Sequence, residues 1–89
     1  MTMRNIIINC ANIESMAALH DLLAQQLSFP EWYGKNLDAL HDCLTEIAEE
    51  TELVFLHFTA LPFPSAGLLR VLRDSESENP HLNISLVTN

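Results

Sequence analysis

Apolar runs and helical stripes alternate along this chain. Ile6, Ile7 and Ile8 are consecutive β-branched residues, which predicts a strand buried on both faces. Met16, Leu19, Leu23 and Leu27 then recur at helical spacing, with Leu22 widening the stripe and Ser15 placed to cap the first turn. Pro30 stops this helix, because the residue before a proline is pushed out of the α region. Asn36 is a good cap for the next helix, where Leu37, Leu40, Leu44 and Ile47 follow at spacings of 3, 4 and 3. Leu53 to Phe58, LVFLHF, predicts a second buried strand, with His57 as a hydrogen-bonded core residue. The prolines of LPFPS exclude a continued strand. Ser65 stands at the start of a third helix carrying Leu68, Leu69 and Leu72, which the polar DSESENP ends. Leu82, Ile84 and Leu86 alternate with Asn83 and Ser85, a last strand with one wetter face.

The order is strand, helix, helix, strand, helix, strand. Each crossover has room for a helix, as parallel neighbours require. The expected fold is therefore α/β, a three-stranded parallel sheet with helices packed against it. Its 89 residues make one domain, residues 1–89, and at 48% hydrophobic they suffice for a core.

Charge narrows the function. Twelve acidic residues against four basic ones give a net charge of −8, which argues against nucleic-acid binding and suits a basic partner. The longest early apolar run, Ile6 to Ile8, is too short for a secretory leader, and no stretch approaches a membrane span. Cys10 and Cys43 are not clustered and read as reduced thiols of a cytoplasmic protein. His20, His41, His57 and His81 fall on separate elements without ligand spacing, so no metal is expected, and no cofactor motif is present.

The stretch FPEWYGKNLDALHDCL concentrates what remains. At about 100° per residue, Asp38, Asp42, Thr45 and Glu49 share one stripe, with Glu46 beside them, His41 at the border and the leucines opposite. A helix macrodipole accounts for Asp38 better than for Asp42, and not for the aromatics before the helix. Trp32 and Tyr33 beside exposed charge resemble a binding hot spot, with one ring expected in the core and one in solvent. Gly34 predicts a tight turn with φ above zero. Carboxylates spaced beside an aromatic imitate phosphates beside a base, which a basic ribonuclease is built to bind.

The run PEWYGKNLDALHDCL resembles the signature of the barstar family, intracellular inhibitors of the secreted ribonuclease barnase. Proline, the aromatic pair, glycine, N-L-D-A-L, the second aspartate and the following leucine are all present, and the likeness extends more loosely through IINC and ALHDLLAQQL. The resemblance implies three parallel strands with helices on one side, and a protein that plugs a nuclease active site with its second helix and the preceding loop. It implies Asp42 as the main anion in the phosphate pocket, Asp38 as a second charge contact and Trp32 as cover for the nuclease's catalytic histidine. Gly34, Asn36 and Leu37 would add contacts at the helix start, and Tyr33 would be a buried support. Val71 and Asp74 fall where the family has a contact residue and an acidic contact. The chain departs from the family at Trp32 (tyrosine), His41 (tryptophan), Lys35 (glutamate) and Asp74 (glutamate), which leaves the identity of the nuclease open between barnase and a different, toxin-type ribonuclease.

The implied partner is a basic extracellular-type or toxin ribonuclease, bound one to one by a protein that is monomeric when free. Two alternatives stand beside it. One is a module of the same fold regulating another basic protein, which a pull-down would reveal. The other is a small hydrolase using Asp38, His41 and Asp42, which would need a deep pocket.

Overall fold

The computed structural model describes residues 3–88. Strands β1 (Arg4–Asn9), β2 (Thr51–Leu56) and β3 (Leu82–Val87) form one parallel sheet in chain order. Ile6 lies beside Leu53 and Leu53 beside Ile84; Ile8 lies beside Phe55 and Phe55 beside Leu86. Side chains alternate across a sheet, so these residues share one face. Helices α1 (Met16–Leu27), α2 (Leu37–Thr45) and α3 (Ala66–Glu78) bury it. Leu19, Leu23, Leu40, Leu44, Leu68 and Leu72 meet Ile8, Leu53 and Phe55 in a single core. The fold is the α/β arrangement expected. Among the described residues no helix is long and apolar enough to cross a membrane.

Among the described residues no helix covers the second face of the sheet. Ile7 is 61% exposed, so the isoleucine run is buried on one face and not on both. A run of three apolar residues does not report how many layers will cover it. The second strand starts and ends two residues earlier than LVFLHF suggested, at Thr51–Leu56. It ends at Leu56; His57 takes a left-handed conformation (φ 56°) and is exposed, and Phe58–Ala60 forms a 3-10 turn. His57 is thus no core histidine. A second 3-10 turn, Cys10–Asn12, follows β1, capped by Asn9. Finally, DSESE does not end the third helix but forms its last turns, which run to Glu78.

The caps explain the helix limits. Ala18 N–H donates to Ser15 Oγ at 3.1 Å, and Ala39 N–H to Asn36 Oδ1 at 2.8 Å. Ser65 precedes α3 but makes no capping bond with its side chain. The first helix turns off at Ser28, in the left-handed region at φ 56°, two residues before Pro30. Cys10 and Cys43 are both free and buried, and burial pushes the Cys10 thiol up to about 11.

Asn79 ties three elements together. Its buried side chain donates from Nδ2 to Leu44 O and Ile47 O, both at 2.9 Å, closing the end of α2. Its Oδ1 accepts from His81 N–H at 2.9 Å, immediately before β3, while its own N–H bonds Ser75 O and closes α3. Replacing Asn79 by leucine strands two carbonyls and an amide, so Asn79→Leu is expected to cost about 3 kcal/mol in urea unfolding. A change below about 1 kcal/mol would remove this role from Asn79.

Candidate protein-binding site

The segment between α1 and α2 carries two adjacent aromatics that part company. Tyr33 turns inward: it is buried, its hydroxyl lies 2.6 Å from Nδ1 of the buried His20 on α1, and its ring stacks obliquely on Phe29 at 5.0 Å between centroids. Trp32 turns outward and is 78% exposed. One ring in and one ring out is the expected division. The inner ring fixes the outer one, since the anchored tyrosine leaves its neighbour the solvent side of the loop.

Left-handed geometry falls one residue later than expected. Gly34 has no positive φ; Lys35 does, at φ 53°. Gly34 serves a different need. A Cβ there would come within 3.1 Å of Asn36 Nδ2, and that amide donates to Gly34 O at 3.3 Å. The capping side chain therefore folds back over the glycine. Lys35 Nζ sits 2.7 Å from Asp21 of α1, so the basic residue of this loop is partnered within the chain.

On α2, Leu40 and Leu44 are buried while Asp38 and Asp42 project to solvent, Asp42 with its side chain 80% exposed. Asp38 makes no ion pair among the described residues. The acidic stripe is shorter than the projection suggested. The helix ends at Thr45, whose hydroxyl donates to His41 O and Asp42 O, so Glu49 lies beyond it. Leu37 is half-buried against α3; a Cβ on Gly67 would meet Leu37 Cδ1 at 3.1 Å, so this glycine lets the helix starts approach.

His41 is the meeting point of α2 and α3. Its Nε2–H donates to Glu78 Oε2 at 2.7 Å, and its Nδ1 lies 3.9 Å from Asp42 Oδ1. The Glu78 hydrogen bond holds the imidazole above its ordinary value; burial opposes it, and the charges of Glu78, Asp42 and Asp74 add to the rise. Asp74 is exposed on α3, and half-buried Val71 lies one turn before it, so Val71, Asp74 and Glu78 share a helical face. The structure thus gathers His41, Asp42, Asp74 and Glu78 into one acidic surface and sets Asn36, Leu37 and Asp38 at the start of the same helix. Trp32 and Gly34 stand in the loop before it.

Two participants escaped the sequence reading. Glu78 is distant in the chain, and no local pattern links it to His41. His20 did carry a signal, since it precedes Leu23 and Leu27 by 3 and 7 residues and so shares their buried stripe. Among the described residues, no group of three or more His, Cys, Asp and Glu could hold a metal ion.

The two histidines titrate with opposite effects. Burial lowers His20 below the usual 6.5, with Asp21 opposing and Lys35 assisting. The unfolded chain then binds the extra proton, so the His20 contribution is complete above about 6.5 and is lost as pH falls through the lowered native value. The His41 contribution has the opposite sign: it is complete below about 6.5 and lost as pH rises through the raised native value. Between pH 7.5 and 5, the native protein should lose thermal stability relative to a His20→Gln variant. Parallel melting curves for the two would refute this.

A model of the family described as Barstar (barnase inhibitor) matches residues 3–86. A Bacillus subtilis (strain 168) protein named "Putative ribonuclease inhibitor YrdF" is 56% identical over 81 residues, covering 85% of this chain and 89% of that protein.

Proposed function

This chain belongs to the barstar family, and from that premise we propose that it is a protein inhibitor of a ribonuclease. The observation that carries the reading is the solvent-facing pair Asp38 and Asp42 on α2, preceded by a loop that carries the exposed ring of Trp32. A nuclease active site holds basic groups for phosphate and a catalytic histidine. Asp42 enters the phosphate site, Asp38 supports it with a second charge, and Trp32 lies over the histidine. Gly34, Asn36 and Leu37 seat the start of α2, and Val71 and Asp74 extend the contact onto α3. His41 contributes a partly neutralised edge. The inhibitor works by occupying the site and carries out no chemistry of its own.

The anchoring of the loop favours such a plug. With Tyr33 fixed to His20 and Lys35 to Asp21, little loop entropy remains to be lost on binding. Lys35 is held by Asp21, so it is not a free positive charge facing a basic partner. We assign the partner as a basic extracellular-type or toxin ribonuclease, bound one to one, and the inhibitor to the cytoplasm of the cell that makes it.

The test is binding and inhibition against basic ribonucleases encoded by the same and by competing bacteria. One of them should bind better than micromolar; if none does, the proposal fails. Against that nuclease, Asp42→Ala should weaken binding by about 30-fold or more, with an unchanged melting temperature. Equal affinity for the variant would remove Asp42 from the contact. Association should slow by about tenfold or more between low and high salt, because opposite net charges steer the encounter. A salt-independent rate in stopped flow would contradict electrostatic capture.

A further inference from the structure

A cleft of about 340 Å³ opens at the far end of α2 from Asp38, beside the start of β1. One wall is the end of α1 and its following turn, with Leu27, Phe29 and Pro30. The other is the end of α2 and its turn, with Ile47. Arg4 lines the cleft from the first residue of β1. None of the residues assigned above to nuclease contact lines it.

Arg4 is incompletely satisfied. Its Nε is buried with no hydrogen-bond partner, and its Nη2 makes a single long bond of 3.4 Å to Thr51 Oγ1. That hydroxyl in turn donates to Glu49 O at 2.9 Å. Among the described residues no carboxylate lies within ion-pair distance of the guanidinium. Arg70 and Arg73 also lack a carboxylate partner among the described residues, but Arg4 alone of the three lines this cleft. The planar fork of arginine matches a carboxylate.

A bare anion does not suit the rest of the cleft. Glu46 and Glu49 line it, and α1 and α2 both end there with their negative dipole ends. A positive group is favoured on that side. We infer that the cleft binds a free α-amino acid with an apolar side chain. Its carboxylate pairs with Arg4, its ammonium faces Glu46 and Glu49, and its side chain rests on Leu27, Phe29 and Ile47. A volume of about 340 Å³ lies at the small end of the range for ligand pockets.

The experiment is an amide NMR titration of the isolated protein, so it does not depend on any nuclease. The probes are L-phenylalanine, 3-phenylpropionate, which lacks the ammonium, and phenethylamine, which lacks the carboxylate. Phenylalanine should saturate with a dissociation constant of about 1 mM, the affinity usual for about a dozen heavy atoms. Shifts should concentrate at residues 27–30 and 43–49, and each analogue should bind about tenfold more weakly. No saturation by about 10 mM, shifts centred elsewhere, or equal binding of either analogue would overturn the inference. Arg4→Met should lose about tenfold in affinity, and unchanged affinity would also overturn it. Should that variant not fold, the analogue series on the native protein decides alone.

Discussion

Apolar burial on a single face of the sheet constrains every other feature of the molecule. Ile8, Leu53, Phe55 and Leu82 are almost fully enclosed, and each such side chain contributes about 2 kcal/mol by leaving water. Three helices suffice to cover that face. Each helix turns one stripe inward, so each has an opposite stripe that the core does not specify. On α2 the inward stripe is Leu40 and Leu44, and Asp38 and Asp42 occupy the unspecified side without cost to the core. The acidic surface is therefore a product of the same periodicity that builds the interior.

Separate ties hold this surface in place. Tyr33 and His20 secure the loop to α1 from within, while Lys35 and Asp21 do so from outside. Gly67 allows α2 to approach α3 closely at their starts, and Asn79 joins their ends. His41 and Glu78 bridge the two helices in between. A contact surface carried on a braced helix presents its groups with little freedom to lose. That is what a tightly complementary partner requires.

Much of this frame was legible in the sequence, for identifiable reasons. Leucines at helical spacing locate α1 and α2, and the caps Ser15 and Asn36 locate their starts, because both signals are local. One ring in and one ring out was expected of Trp32 and Tyr33, and the family resemblance gave Tyr33 as the inner one. What escaped was nonlocal or concerned backbone angles. Ile7 looks like its neighbours, and only the absence of a helix over one face sets it apart. The left-handed residue is Lys35, while Gly34 gives Asn36 space, a division no composition rule weighs. His57 leaves the strand in the left-handed region, and the apolar Phe58 just after it hides that break from a hydropathy pattern.

The uncovered face of the sheet also governs how copies of this protein behave toward one another. Ile7 lies on an outer strand that pairs with β2 on one side only, so apolar surface and an unpaired strand edge coincide. At neutral pH the net charge of −8 keeps such edges apart by repulsion. Near the isoelectric point, about 4.6, that repulsion vanishes while the edge remains. The acidity of the chain thus supplies its colloidal stability, and the minimum of its solubility falls in mild acid.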